Sequence, residues 1–202
     1  MELLTQLMNV PSAALSLFAL FFLLLALLKI KQVRLSVPMA ASIGLMLAMA
    51  VILTAFPFYR MPNGGSVTLG GMLPLFFISF AYGTEVGMLA GFAYSLMNLV
   101  MAPYILHPVQ VLFDYPLPFM ALGLAGCFPR HRMAGITAAV AVRLLFHFLS
   151  GVVFFGSYAP AGTSVYLYSF VTNLTYLLPN LVICLVLYRL LPVERFLSLM
   201  KR

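Results

Sequence analysis

The chain has 202 residues, of which 64% are hydrophobic and only 7% are charged. A soluble globular domain carries about 25% charged residues, so this composition excludes a soluble enzyme, a nucleic-acid-binding domain and a disordered chain. The composition predicts an all-α integral membrane protein. The formal net charge of +7 is therefore interpreted as a signal of membrane topology.

Charged residues, prolines and glycines divide the sequence into seven predicted spans, and a helix needs about 20 apolar residues to cross a bilayer. The first covers residues 12–28 and is followed by a basic cluster, the reverse of the charge order of a signal peptide. The other six are predicted at 38–55, 68–81, 85–101, 108–128, 134–155 and 165–191. Residues 82–84 alone join the third and fourth spans, so these two are expected to form an antiparallel pair.

The basic residues accumulate on one predicted side of the membrane, and such a bias marks the cytoplasmic side. The opposite side carries only Arg60, and Arg143 lies inside a span. This distribution predicts a multi-pass protein of the cell membrane with its C-terminus in the cytoplasm and, given seven spans, its N-terminus outside. The basic residues on the cytoplasmic side are Lys29, Lys31, Arg34, Arg130, Arg132, Arg189, Arg195, Lys201 and Arg202.

Asp114 alone among the four acidic residues falls inside a predicted span, and ionisable groups at membrane depth are costly and often functional. His147 and Asn173 are expected at a similar depth near the outer face, so the three polar groups predict a cavity. Asp114 is interpreted either as a partner of Arg143 or His147, or as the counter-ion of a cationic ligand. Aromatic and small residues nearby would suit a flat cation: Tyr115, Gly151, Phe155, Tyr158, Tyr168 and Ser169.

Small residues recur at every fourth position of the second predicted span, at Ala40, Gly44 and Ala48. Such a stripe lets another helix approach closely. It predicts either packing inside this protein or a docking surface for a partner membrane protein.

Sequence patterns of catalysis and of metal or ATP binding are absent: the chain has no His-Glu-x-x-His, no Gly-x-Ser-x-Gly, no acidic cluster and no phosphate-binding loop. No metal or cofactor is predicted, and ATP-driven transport would need the ATPase of another subunit. Cys127 and Cys184 lie in apolar stretches without metal-ligand spacing, which predicts two buried thiols.

Four stretches carry a resemblance to a known family: GGSVTLGGMLP (64–74), PVQVLFDYP (108–116) with LGLAG (122–126), FHFLSGVVFF (146–155), and SYA (157–159) followed by YSFVTN (168–173). In order and spacing, from about Val33 to the C-terminus, the chain resembles the thiamine-binding S components of energy-coupling-factor (ECF) vitamin transporters. The resemblance implies a six-helix S-component bundle over residues 33–202. Residues 1–32 then form an additional N-terminal transmembrane helix.

The resemblance implies a substrate-binding membrane subunit of an ECF-type ABC importer, not an enzyme, that captures thiamine from outside. Its implied partners are a T subunit, two ATPase subunits and the lipid bilayer, with no nucleic acid. Ala40, Gly44 and Ala48 would dock the T subunit, and the loop 58–66 would correspond to the gating loop. The implied thiamine-binding residues are Asp114, Tyr115, His147, Gly151, Phe155, Tyr168, Ser169 and Asn173.

The chain departs from the family pattern at two points. It has Asp114 where the family has Glu, and it has no Trp, whereas family pockets commonly stack the ligand on Trp. These departures leave open another vitamin or a thiamine precursor, such as the pyrimidine moiety, as the ligand. A small intramembrane enzyme with Asp114 and His147 as acid and base, and a purely structural assembly subunit, are the alternatives from other classes.

Overall fold

A computed structural model describes residues 11–30, 33–62 and 64–201, and it is mostly helical. The residues 1–10, Lys31 and Arg202, on which parts of the domain and charge predictions rest, lie outside these ranges. An antiparallel hairpin of β1 (Tyr59–Arg60) and β2 (Ser66–Val67) lies between the second and third helices. The helices are α1 (Pro11–Ile30), α2 (Val37–Ala55), α3 (Leu73–Tyr82), α4 (Thr84–Met101), α5 (Pro108–Asp114), α6 (Pro116–Ala121), α7 (Arg132–Phe154), α8 (Val165–Leu190) and α9 (Val193–Met200).

Four helical segments of the described ranges are long and apolar enough to span a membrane: Val37–Ala55, Pro108–Cys127, Arg132–Phe154 and Val165–Leu190. The predicted class of a helical, multi-pass membrane protein is therefore confirmed. Each of the seven predicted spans overlaps helical structure. That all seven cross the bilayer stays a prediction, as does the orientation of the termini.

The fifth predicted span is not one continuous helix. α5 ends at Asp114, Tyr115 has φ −119° and ψ −80°, and α6 begins at Pro116. Proline has no N–H to donate and its ring clashes with the preceding turn, so the helical hydrogen bonds are interrupted here. A 3-10 segment, Leu122–Cys127, completes the span. The interruption falls on the Asp-Tyr pair that was predicted to bind the ligand.

The third predicted span begins at Leu73 and not near residue 68. Val67 belongs to β2, and Gly70 has a φ of +75°, a left-handed conformation that glycine adopts without strain. The chain therefore makes a turn between β2 and α3. The loop 58–66, which was predicted to correspond to the gating loop, contains β1 and the first residue of β2.

α9 is a helix beyond the last predicted span, which ends at residue 191. Its buried residues Val193, Leu197 and Met200 face the bundle, and Phe196 stacks on Phe77 of α3 with 5.9 Å between ring centroids. Glu194 of α9 forms an ion pair with Arg132 at the start of α7.

The hydrophobic core lies between the apolar faces of the helices, and it contains one of the two cysteines. Its largest cluster joins α2, α3, α4, α6, α7, α8 and α9. Cys184 is buried in this cluster, as predicted, whereas the prediction of a buried thiol is wrong for Cys127, which is exposed at the end of its 3-10 segment.

The small-residue stripe lies on the outer face of α2. Ala40, Gly44 and Ala48 are exposed, and a Cβ added to Gly44 would meet no atom within 4 Å. The buried residues of α2 lie on its other face. The stripe is therefore not used for packing within the described part of the chain.

Candidate functional site

A cavity of about 430 Å³ lies between the hairpin, the α5–α6 break, α7 and α8. This volume falls within the range of small-molecule sites. The structure brings together all eight residues that were predicted to bind the ligand, although their role in binding stays a prediction. These cavity-lining residues are Asp114, Tyr115, His147, Gly151, Phe155, Tyr168, Ser169 and Asn173.

The Asp114 carboxylate lies between two side chains. The Gln110 amide, one turn earlier on α5, donates to Oδ2 at 2.5 Å, and Nδ1 of His147 lies 3.3 Å from Oδ1. The Asp114 and His147 side chains are only 17% and 8% exposed, which strengthens their interaction by excluding water. Of the two partners that the sequence analysis offered for Asp114, the geometry selects His147.

His147 presents an unused nitrogen to the site. When Nδ1–H donates to the carboxylate, a neutral imidazole carries a bare lone pair on Nε2. Nε2 is buried and has no hydrogen-bond partner among the residues described. Because buried polar atoms are normally paired, Nε2 can accept a hydrogen bond from a bound ligand.

Arg143 lines the same cavity and was missing from the predicted site. Its guanidinium lies over the Phe119 ring, 4.1 Å from the centroid. Nε and Nη1 are buried and have no acceptor within the described ranges. The cation–π contact stabilises the charge but leaves these donors available. The spacing of four between positions 143, 147 and 151 places them on one helix face, and this signal could have found Arg143 from the sequence.

Gly151 is a point of close contact between α7 and α8 at the site. A Cβ there would collide with the Ser169 side chain and lie 3.3 Å from Asn173 Nδ2. Ser169 Oγ donates to the Phe148 carbonyl at 2.8 Å, and Asn173 Nδ2 donates to the His147 carbonyl at 3.2 Å. These two polar residues therefore hold α8 against α7 while they form part of the cavity wall.

Tyr104, in the loop after α4, adds an aromatic face that the sequence analysis missed. Its ring stacks on Phe155 with centroids 5.8 Å apart and planes at 20°. The hydrogen bond with Tyr158 raises the pKa of the Tyr104 hydroxyl. The loop is held by Tyr115, whose hydroxyl accepts from Tyr104 N–H at 2.8 Å and donates to the Ala102 carbonyl at 3.0 Å.

Asn180 of α8 connects the hairpin to the cavity wall and was also missed. Its Oδ1 accepts from the Thr68 N–H at 3.0 Å, and its Nδ2 donates to the Ser66 carbonyl at 2.7 Å. Positions 169, 173, 176 and 180 recur at helical spacing along α8, so the periodicity of the predicted site residues pointed to this position.

Comparison with known proteins gives concordant matches. The family model described as thiamine transporter protein matches residues 40–198. The thiamine transporter ThiT of Bacillus subtilis (strain 168) is 38% identical over 168 residues, covering 74% of this chain and 87% of that protein. ThiT of Lacticaseibacillus paracasei is 29% identical over 123 residues, covering 51% of this chain and 61% of that protein.

A solved structure shares the fold. ThiT from Listeria monocytogenes superimposes with a TM-score of 0.71 at 22% sequence identity, covering 80% of this chain and 96% of that chain. At this identity the likeness concerns the fold. α1 lies before the residues that the family model matches.

Proposed function

The chain belongs to the thiamine transporter protein family, and on that premise we propose that it is the thiamine-binding S component of an ECF-type importer. The observation that supports this most is the single cavity lined by all eight predicted residues, with Asp114 held between Gln110 and His147. A cavity of this size, with a carboxylate and aromatic faces, suits a flat organic cation.

The groups in the cavity complement the two rings of thiamine. The thiazolium carries a positive charge, which the Asp114 carboxylate stabilises in a site of low dielectric constant. The aminopyrimidine carries an amino donor and ring-nitrogen acceptors, which match Nε2 of His147 and the N–H groups of Arg143. Arg143 adds a positive charge to the cavity, and Asp114 is the only acidic residue among the described residues that line it, so its carboxylate is the group that can stabilise a bound cation.

The test is isothermal titration of the purified full chain with thiamine, and then with its separate pyrimidine and thiazole halves. We expect thiamine to bind at micromolar concentration or below and each half to bind more weakly, since each makes part of the contacts. Absence of thiamine binding at micromolar protein would overturn the proposal, and tighter binding of the pyrimidine half would assign a precursor as the ligand. Mass spectrometry of the ligand recovered after incubation with the protein distinguishes binding from catalysis, because an enzyme would return a chemically altered molecule.

The proposed transport cycle needs partners that this chain does not contain. We propose that the outward stripe on α2 docks a T subunit, that two ATPase subunits supply the energy, and that thiamine enters from outside. Nine of the basic residues lie on the predicted cytoplasmic side, which supports an outward-facing cavity and a cytoplasmic C-terminus.

Gly44→Phe is expected to abolish co-purification with the T subunit while thiamine affinity stays unchanged. The added ring would project from the exposed stripe, where a Cβ meets no atom of this chain, and would keep a partner helix from approaching. The measurement is affinity purification after co-expression with the host's T and ATPase subunits. Leu178→Phe, on the exposed side of α8, is the matched control and should retain the complex; equal retention by Gly44→Phe would contradict the docking role.

A further inference from the structure

α1 lies before residues 40–198, which the family model matches, and it contacts α4, α5 and α6. α5 and α6 are the two segments on either side of the break at Asp114. We propose that α1 is a positioning element that presses α5 onto α7 and so sets the geometry of the Asp114–His147 pair. The test of this proposal by thiamine affinity rests on the proposed function.

A row of three rings connects α1 to α7 through α5. The Phe113 side chain is fully buried. It stacks on Phe18 of α1 with centroids 6.4 Å apart, and it meets the edge of Phe146 of α7 at 5.9 Å. Phe113 precedes Asp114 and Phe146 precedes His147 in the chain. Because neighbouring residues share a backbone, the separation of the two rings constrains the separation of the two polar groups.

α5 depends on this packing more than the longer helices do. It has seven residues and is bounded by Pro108 and Pro116, so few of its backbone groups form intrahelical hydrogen bonds. Short helices gain most of their stability from tertiary contacts. A helix that covers the outer side of Phe113 is therefore in a position to fix where α5 lies.

One face of α1 is shaped for close contact. Ala19 is completely buried and belongs to the cluster around Phe113, whereas Leu20 and Leu24 are 56% and 57% exposed. A small side chain at Ala19 lets the α1 backbone approach the bundle, and the exposed leucines suit lipid. A substitution at Ala19, on the buried face, can therefore be compared with one at Leu24, on the exposed face.

The test is Ala19→Phe in the full chain. Overpacking a closely packed contact is destabilising, so displacement of α1 should weaken thiamine binding about ten-fold in titration calorimetry. Leu24→Phe adds a ring to the exposed side of the same helix and should leave the affinity unchanged. Leu47→Ala, in the core between α2 and α3, should lower the melting temperature without changing the affinity, which separates positioning from general destabilisation.

A second readout does not depend on the ligand. The imidazole N–H of His147 that faces Asp114 should give a downfield-shifted proton resonance in NMR, and Ala19→Phe should lose or move it while Ala19→Ser retains it. If Ala19→Phe does not fold, Phe18→Leu removes the ring stack with a smaller change of volume and should move the same resonance. Unchanged affinity together with an unchanged resonance would overturn the role of α1. Failure of the wild-type protein to bind thiamine would overturn the proposed function instead, and the resonance would still test α1.

Discussion

Asp114→Asn is expected to weaken thiamine binding about 100-fold, because a charge pair separated by ~5 Å at an effective dielectric constant of about 20 contributes roughly 3 kcal/mol. The asparagine preserves the shape of the side chain and removes its charge. The Gln110 and His147 contacts that orient the carboxylate would be weakened at the same time. Titration calorimetry of the purified variant measures the loss.

Two control measurements show whether the loss of affinity depends on the charge of Asp114. An uncharged isostere of thiamine, with carbon in place of the thiazolium nitrogen, should lose much less affinity than thiamine does on Asp114→Asn, because the substitution disturbs only its contacts through His147. Asp114→Glu restores the carboxylate and should recover most of the affinity for thiamine. If Asp114→Asn binds thiamine as the wild type does, the carboxylate is not the counter-ion and the assignment of the site is wrong.

Asn180→Leu is expected to lower the free energy of unfolding by about 2–4 kcal/mol, since two buried polar groups left unpaired cost about 1–3 kcal/mol each and burial of the leucine side chain offsets part of that loss. The leucine would leave the Thr68 N–H and the Ser66 carbonyl without the partner that they have in the structure. For a chain of this size the loss corresponds to a fall of roughly 5–15 °C in the melting temperature. Thermal unfolding in detergent measures it.

The same substitution releases the hairpin from the cavity wall, so we also expect weaker thiamine binding. Thr175→Val on α8 is the matched control, because the Thr175 hydroxyl is exposed and donates to the Val171 carbonyl of its own helix. A melting temperature of Asn180→Leu equal to that of the control would show that the hairpin is not held by Asn180.

Several features of the fold could be predicted from the sequence because they depend on local composition. Apolar stretches of bilayer length predicted helices where the structure has them. Breaks in those stretches were less predictable: Pro116 stands in the sequence, yet whether a proline bends a helix or ends it depends on the surrounding contacts. α9 was missed because its eight residues are too few to be recognised as a helix from hydropathy alone.

The candidate site was predictable where the residues share a helix face. Polar residues at membrane depth are rare, so Asp114, His147 and Asn173 stood out, and all three line the cavity. Loop residues such as Tyr104 carry no periodicity, so its stacking on Phe155 was not foreseeable.

The amino-acid sequence by itself determined that this protein is a helical membrane protein and pointed to polar residues that line one cavity, because hydropathy and helical spacing are properties of consecutive residues. Only the tertiary structure decided that Asp114 pairs with His147 and not with Arg143, and that α1 lies against α5. Those contacts depend on how each helix is rotated and tilted against its neighbours. Rotation and tilt are set by side-chain packing between segments that lie far apart in the chain.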